Sequence, residues 1–174
     1  FGRYKKAIEL DPDLIEPRIR LARFYLAQAC AFRARDDEEG AADAMGLVHE
    51  QVKEIQARAP EDLEGLTLEA TLWANDGDTD KAVEQLERVI QADPGLESAA
   101  ALLASLYDQK GRADDAEALL VKATKTSNDP IVLQQRLAQL YHKHEKNDRA
   151  EEVLRTLVSN NPTELAYRVS LASF

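Results

Sequence analysis

The fold is decided by the stretch LASLYDQKGRADDAEALL (residues 103–120), which returns as LAQLYHKHEKNDRAEEVL (residues 137–154) after one interval of about 34 residues. Both copies begin with a Leu-Ala pair, carry a tyrosine in the following turn, and reach an alanine and a leucine at the same spacing. The equivalents of the tyrosine, the alanine and the last leucine also occur one interval earlier, at Trp73, Ala82 and Leu86. A fixed repeat of this length predicts a stack of similar units rather than one core of irregular elements.

Each copy has the residues of two closely packed helices. The small side chains of Ala104 and Ala116 let the two helices approach, and larger apolar side chains fill the groove between them. Gly111 stands between the two runs, where glycine readily adopts the left-handed conformation that ends a helix. Pro12 and Pro94 each follow an aspartate at the end of a unit, where proline stops one helix and can begin the next. The sequence therefore predicts helix–turn–helix units joined at these prolines.

This pattern resembles the tetratricopeptide repeat along nearly the whole chain. In that family a large residue stands near position 4, leucine at 7, a small residue at 8, tyrosine at 11, glycine near 15, alanine at 20 and 27, and proline at 32 of each unit. The chain departs from the family at position 4, where it has Ala100 and Gln134, and at position 15, where it has Glu145. The resemblance implies an all-α fold, a right-handed α-solenoid of antiparallel helix pairs. In style the repeats are similar to those of bacterial envelope-associated members.

One unit is longer than the others. The interval from Pro12 to Pro60 exceeds one repeat by nearly four helical turns, and no helix-breaking residue interrupts residues 26–35. The turn is expected at residues 36–40 and the return helix at residues 41–57, with each helix of this hairpin about 10 Å longer than usual. The predicted units are an elongated one at residues 13–60 and regular ones at residues 61–94, 95–128 and 129–162. Residues 1–12 are expected to form the second helix of a truncated unit and residues 163–174 the first helix of another, so that residues 1–174 form a single solenoid from a longer array.

Composition narrows the classes of partner. The chain carries a formal net charge of −10, which repels nucleic acid and anionic lipid, so no nucleic acid partner is expected. No apolar run approaches the roughly 20 residues of a membrane span, so direct membrane insertion is not expected either. Cys30 is the one cysteine and cannot form an internal disulfide.

No stretch has the residues of a catalytic, cofactor or metal site. The sequence NDGDTD, residues 75–80, has a glycine too early for a calcium loop and is predicted to be a turn. His142 and His144 are two apart on a helix and are expected to face solvent separately. Cys30 is expected to be a small buried residue, and Trp73 to pack in the core. We therefore expect no enzymatic activity, no cofactor and no bound metal.

In the resembled family, the first helices of successive units line a concave groove that binds protein segments. The resemblance assigns to this groove residues with mostly small or neutral polar side chains, suited to hydrogen bonding an extended peptide backbone or a polar helix face. The candidates are Arg23, Thr67, Thr71, Asn75, Ser105, Asp108, Gln109, Gln135, Gln139, His142 and Lys143. One subfamily clamps acidic chaperone tails with Lys and Asn repeated at groove positions. That clamp is absent here, because positions 5 and 9 of successive units carry Ile19 and Arg23, Thr67 and Thr71, Ala101 and Ser105, and Gln135 and Gln139.

The predicted function is a non-catalytic scaffold that binds a protein or peptide partner in this groove. Two alternatives stay open: a module for homo-oligomerisation, and an accessory domain of an enzyme that lies outside this sequence. The compartment stays open between the bacterial periplasm or envelope and the cytoplasm.

Overall fold

The computed structural model describes residues 2–161 and Leu165, and within them the chain forms nine α-helices and no β-strand. The all-α prediction is therefore confirmed for the described residues. The helices are α1 (Gly2–Leu10), α2 (Ile15–Arg33), α3 (Glu38–Arg58), α4 (Leu63–Asn75), α5 (Thr79–Ala92), α6 (Glu97–Gln109), α7 (Ala113–Thr126), α8 (Ile131–Lys143) and α9 (Asn147–Asn160). Pro162 and the helix predicted at residues 163–174 lie outside the described residues, apart from Leu165.

The chain divides into two units, Phe1–Ala82 and Val83–Phe174. The first unit contains the predicted long hairpin, because α2 has 19 residues and α3 has 21, whereas the helices from α4 to α9 have 13 or 14. The two long helices enclose a core to which α4 adds two leucines. The core residues are Ile19, Leu21, Ala22, Tyr25, Val48, Val52, Ile55, Leu68 and Leu72.

The tip of the long hairpin is shorter than predicted. The turn was expected to last to Gly40, but α3 already begins at Glu38 because the Asp37 side chain caps it, accepting a hydrogen bond from the Gly40 amide at 2.9 Å. Gly40 lies in the first turn of α3, close to the Phe32 ring. A β-carbon at this position would be 2.9 Å from that ring, so glycine suits the contact. The reversal itself is at Asp36, whose φ of 58° is in the left-handed region. The prediction of a turn at residues 36–40 followed by a helix from 41 therefore places the start of α3 too late.

Two further sequence-based expectations concern single residues of the first unit. Cys30 is exposed, contrary to the prediction, because the neighbouring Ala29 takes the inward position and is 1% exposed. Trp73 is half-buried. The turn predicted within residues 75–80 is confirmed, since α4 ends at Asn75, Gly77 has a φ of 91°, and α5 begins at Thr79.

The second unit contains two complete helix pairs, α6–α7 and α8–α9, whose equivalent residues are one repeat apart. The predicted periodicity is reproduced in the packing, because the equivalent residues of both pairs are buried. They are Leu103 and Leu137, Ala104 and Ala138, Tyr107 and Tyr141, Ala116 and Ala150, and Leu120 and Leu154. The turn inside each pair is left-handed at the same place, at Gly111 with a φ of 75° and at Glu145 with a φ of 59°.

The tyrosine of each pair is bound to a carboxylate of the preceding helix. The Tyr107 hydroxyl donates to Glu87 of α5 at 2.7 Å, and the Arg112 guanidinium lies 4.0 Å from the centre of the Tyr107 ring. Burial, followed by the hydrogen bond to Glu87, raises the pKa of Tyr107 to about 12. The Tyr141 hydroxyl donates to Glu117 of α7 at 3.2 Å in the same way.

Glu117 gathers two cations in addition to the tyrosine. Its carboxylate accepts from Lys146 Nζ at 2.7 Å and from Arg149 Nη1 at 2.5 Å, and its side chain is 18% exposed. The hydrogen bond from Lys146, more than the other contacts, lowers the pKa of Glu117 below its ordinary value. Glu117 therefore links α7 to the helix pair that follows it.

Candidate functional site

A depression of about 170 Å³ lies between the first helices of the two pairs in the second unit. Its floor is formed by small and apolar side chains, and its rim by polar ones. The floor consists of Ala101, Ala104, Leu120 and Leu140, and the rim of Ser105, Asp108, Arg136, Gln139 and Lys143. The structure thus places four of the predicted groove residues together: Ser105, Asp108, Gln139 and Lys143.

Asp108 is the most enclosed charged side chain of this rim, with 12% of it exposed. It accepts from Lys143 Nζ at 2.7 Å and from His144 Nε2 at 2.6 Å. The hydrogen bond from Lys143 is the largest cause that lowers the pKa of Asp108. Because Asp108 is on α6 and its two partners are at the end of α8, this contact fixes one end of the depression.

Arg136 lines the depression and was not among the predicted residues. Its side chain is exposed and donates through Nη1 to Gln139 Oε1 at 3.3 Å. The family pattern does not assign position 6 of a unit to the groove, so the resemblance gave no reason to include it. A simple count of cations on α8 would have drawn attention to it.

Three predicted residues of this unit lie near the depression without lining it. Gln109 is exposed, and its amide nitrogen is 3.4 Å from the Ser105 hydroxyl. Gln135 is half-buried. His142 and His144 are both exposed, as predicted, and a ring nitrogen of His142 is 3.4 Å from Asn147 Oδ1.

The predicted groove residues of the first unit lie along α2 and α4, and they form hydrogen bonds and ion pairs with other residues of the same unit. Arg23 forms an ion pair with Glu64, and Asn75 accepts from Arg33 Nη1 at 3.0 Å. The Thr67 hydroxyl is buried and donates to the Leu63 carbonyl at 2.7 Å.

The remaining threonine of this set, Thr71, donates its hydroxyl to the Thr67 carbonyl at 2.9 Å. In the first unit, therefore, these polar groups are largely engaged inside the protein.

No group of three or more His, Cys, Asp or Glu side chains within the described residues is arranged to hold a metal ion. Among the described helices, none combines the length and the apolar character that crossing a membrane requires.

The profile of the tetratricopeptide repeat family matches residues 75–134. No curated protein matches the chain. Among solved structures, the tetratricopeptide repeat protein TTC0263 of Thermus thermophilus is 21% identical, with a TM-score of 0.77 over 98% of this chain and 86% of its own. YrrB, described as a tetratricopeptide repeat protein with an unusual peptide-binding site, is 14% identical, with a TM-score of 0.55 over 96% of each chain. MamA is 18% identical, with a TM-score of 0.55 over 98% of this chain and 88% of its own.

These likenesses confirm the predicted fold class, a helical solenoid of the tetratricopeptide repeat kind. Residues 75–134 thus match the tetratricopeptide repeat family, and the chain has the fold of the tetratricopeptide repeat proteins.

Proposed function

We propose that the chain is a non-catalytic scaffold that binds an extended segment of a partner protein in the depression between α6 and α8. Tetratricopeptide repeat proteins generally bind other proteins and generally lack catalytic activity. The proposal for this chain rests on one observation, the meeting of an apolar floor and a polar rim on two adjacent first helices.

The rim offers the groups that an extended peptide needs. The Ser105 hydroxyl can donate and accept, and the Gln139 amide has two donors and an acceptor. A main chain alternates N–H donors and C=O acceptors, so side chains of both capacities suit it. Each such hydrogen bond adds only about 1 kcal/mol, so useful affinity requires several of them together with burial of the floor.

The charge of the depression indicates which segment would bind. Asp108 forms an ion pair with Lys143 and a hydrogen bond with His144. Arg136 is exposed, and within the described residues it has no carboxylate partner. We therefore expect the segment to carry an acidic side chain next to a stretch of small or apolar residues.

Selection from a library of random peptides on the immobilised full chain tests this proposal. The selected peptides should bind wild-type protein in solution, and Arg136→Glu should weaken them at least about tenfold, since it places a negative charge opposite their acidic group. Arg155→Glu is the matched control, because Arg155 is an exposed arginine of α9 that pairs with Glu151 on its own helix. If the two variants bind the selected peptides equally well, the depression is not the binding site.

Self-association is the second candidate. It is favoured by large apolar side chains that remain exposed in the first unit, Leu10, Leu14, Phe24 and Leu47. Light scattering across a range of protein concentrations distinguishes the two. Self-association makes the measured mass rise with concentration, whereas a monomeric groove-binding scaffold keeps a constant mass. A mass that rises with concentration and falls back on Leu47→Lys would favour self-association.

A further inference from the structure

Helix α8 carries three different side chains at four-residue intervals on the side that faces the depression. Val132 is apolar and 46% exposed, Arg136 is an exposed cation, and Leu140 lies in the floor of the depression. Residues four apart follow one another along a line inclined by about 26° to the helix axis. The three side chains therefore form one continuous line, and we call Val132, Arg136 and Leu140 the α8 row.

The depression is closed at one end and continues along the α8 row at the other. The ion pair between Lys143 and Asp108 closes the first end. Ala101 and Arg136, each seven residues earlier on its helix, lie at the second end, about 10 Å away. Val132 follows Arg136 outside the depression, one helical turn further on. A segment that leaves the depression at this end therefore passes Arg136 and then Val132.

The spacing of the α8 row suits an extended chain. Four residues of a helix rise about 6 Å, and two residues of an extended chain span about 6.6 Å. Successive side chains of an extended chain point to opposite sides, so every second one can face α8. A segment that lies along the row can therefore place one side chain at each of Val132, Arg136 and Leu140.

Charge indicates which side chain belongs at the middle position. Within the described residues, Arg136 donates to Gln139 and has no carboxylate partner. The Asp108 carboxylate already accepts from Lys143 and His144, so the charges left to meet a ligand are positive. The accessible Arg136 guanidinium can bind a carboxylate through two parallel hydrogen bonds. An acidic side chain is therefore favoured there.

Volume and exposure indicate the side chains on either side of it. The depression has a volume of about 170 Å³, and an apolar cavity of about 150 Å³ holds one benzene molecule, so the floor accepts one leucine-sized side chain. At the other end of the row, Val132 leaves apolar surface in water that an apolar side chain would cover.

We propose that the segment bound by this chain has an acidic residue with an apolar residue two positions away on each side. The acidic side chain pairs with Arg136, one apolar side chain covers Val132, and the other packs on Leu140 in the floor. The residues between them point to solvent, and the main chain bonds Ser105 and Gln139 on the rim. This inference rests on the proposed function, because it specifies the segment that the depression binds. The pattern is the same in both chain directions.

Other occupants fit the row less well. A basic side chain would meet Arg136 and Lys143 with a charge of the same sign. A helix with residues four apart has a suitable spacing, but its main-chain N–H groups are already bonded and cannot serve the rim. Nucleic acid offers phosphates but no apolar side chain, and the net charge of −10 repels it.

Three blocked peptides test the pattern, each added to the full 174-residue chain and followed by two-dimensional NMR. The alternating peptide, acetyl-GLSESLG-amide, should cause saturable shifts at Val132, Arg136 and Ala101. The adjacent peptide, acetyl-GSLELSG-amide, has the same composition, but its leucines and its glutamate point to opposite sides when the chain is extended. It should bind at least about tenfold more weakly. The helix-spaced peptide, acetyl-GLSSSESSSLG-amide, should also bind more weakly than the alternating one.

Variants of the α8 row identify which side chain meets which. Arg136→Gln should weaken the alternating peptide about tenfold and leave unchanged the binding of acetyl-GLSQSLG-amide, which has no acidic group. Arg155→Gln is the matched control on α9 and should not affect either peptide. Val132→Thr keeps the size of the exposed side chain but makes it polar, and should weaken the alternating peptide about threefold.

The inference is overturned if the alternating peptide causes no saturable shift, if the adjacent or helix-spaced peptide binds as tightly, or if Arg136→Gln weakens the glutamate and glutamine peptides equally. It is also overturned if the chain alone gains mass with concentration and Arg136→Gln prevents this, because the occupant would then be a second copy. The proposed function survives the loss of the pattern if peptides selected from a random library still respond to Arg136→Glu, and fails with it if they do not.

Discussion

Replacing Glu117 by glutamine should weaken the second unit by an amount that its contacts allow us to estimate. The substitution keeps the size and shape of the side chain but removes its charge. Glu117 accepts from the Tyr141 hydroxyl, Lys146 and Arg149, and its side chain is largely covered, with 18% exposed. A glutamine can still accept through its oxygen, but its amide nitrogen turns a second donor towards one of the two cations.

A hydrogen bond to a charged group contributes about 1.5–3 kcal/mol when it is well enclosed, and an exposed ion pair well under about 1 kcal/mol. Here the carboxylate is enclosed, but Lys146 is 37% exposed and Arg149 is 58% exposed. We therefore expect Glu117→Gln to lower the free energy of unfolding by about 1–2 kcal/mol, or the melting temperature by about 3–6 °C. Urea denaturation followed by circular dichroism measures the first quantity and scanning calorimetry the second. Hydrogen exchange should assign the loss to α7, α8 and α9.

The difference between wild type and variant should also depend on pH with a defined sign. Since contacts of the folded protein lower the pKa of Glu117 from 4.5, the unfolded chain takes up a proton here before the folded chain does. The stabilisation is therefore complete above about pH 4.5 and is lost as the pH falls through the lower folded value. Glu151→Gln is the control, because Glu151 pairs with Arg155 on its own helix and 42% of its side chain is exposed. The reasoning is refuted if Glu117→Gln costs no more than this control at pH 7, or if its cost persists unchanged at pH 3.

Three further predictions concern the backbone and one tyrosine. Glu145→Gly should raise the free energy of unfolding by about 1 kcal/mol in urea denaturation, because a side chain at a φ of 59° is strained and glycine is not; an unchanged midpoint would contradict this. Gly65→Ala should destabilise by about 1–3 kcal/mol, since its β-carbon would come within 2.5 Å of Ile55, whereas Gly46→Ala, which meets nothing within 4 Å, should stabilise by about 0.5–1 kcal/mol in the same assay. Tyr107 should ionise at about pH 12 in an ultraviolet titration, and this step should be absent from Tyr107→Phe. Since the pKa of Tyr107 is raised in the folded protein, the contribution of its hydroxyl to stability should be complete below about pH 10 and lost as the pH rises towards 12.

The helices and their pairing were predictable because they depend on residues that recur at a fixed interval. Ala104 and Ala138, or Leu120 and Leu154, have the same neighbours in consecutive pairs, so the repeat in sequence becomes a repeat in burial. The extra length of α2 and α3 was predictable from the absence of breakers. The exact turn was not, because it depends on the Asp37 cap and on the contact between Gly40 and Phe32, which are specific to this hairpin.

The candidate site was less predictable than the fold. The family pattern identifies positions on a helix face, and the side chains at four of these positions line one depression: Ser105, Asp108, Gln139 and Lys143. It does not indicate whether a polar group already has a hydrogen-bond partner within the protein. Thr67 was therefore predicted as a groove residue, although its hydroxyl donates to a carbonyl of its own helix.

The turn between α8 and α9 carries contacts on two sides within three consecutive residues. His144 reaches Asp108 and Lys146 reaches Glu117, with the left-handed Glu145 between them. Deleting or adding a single residue there would misplace both links together, so chain length is tightly constrained at this turn. The end of the long hairpin is different, since residues 34–36 are exposed, and foreign sequence inserted there would leave the Asp37 cap of α3 in place.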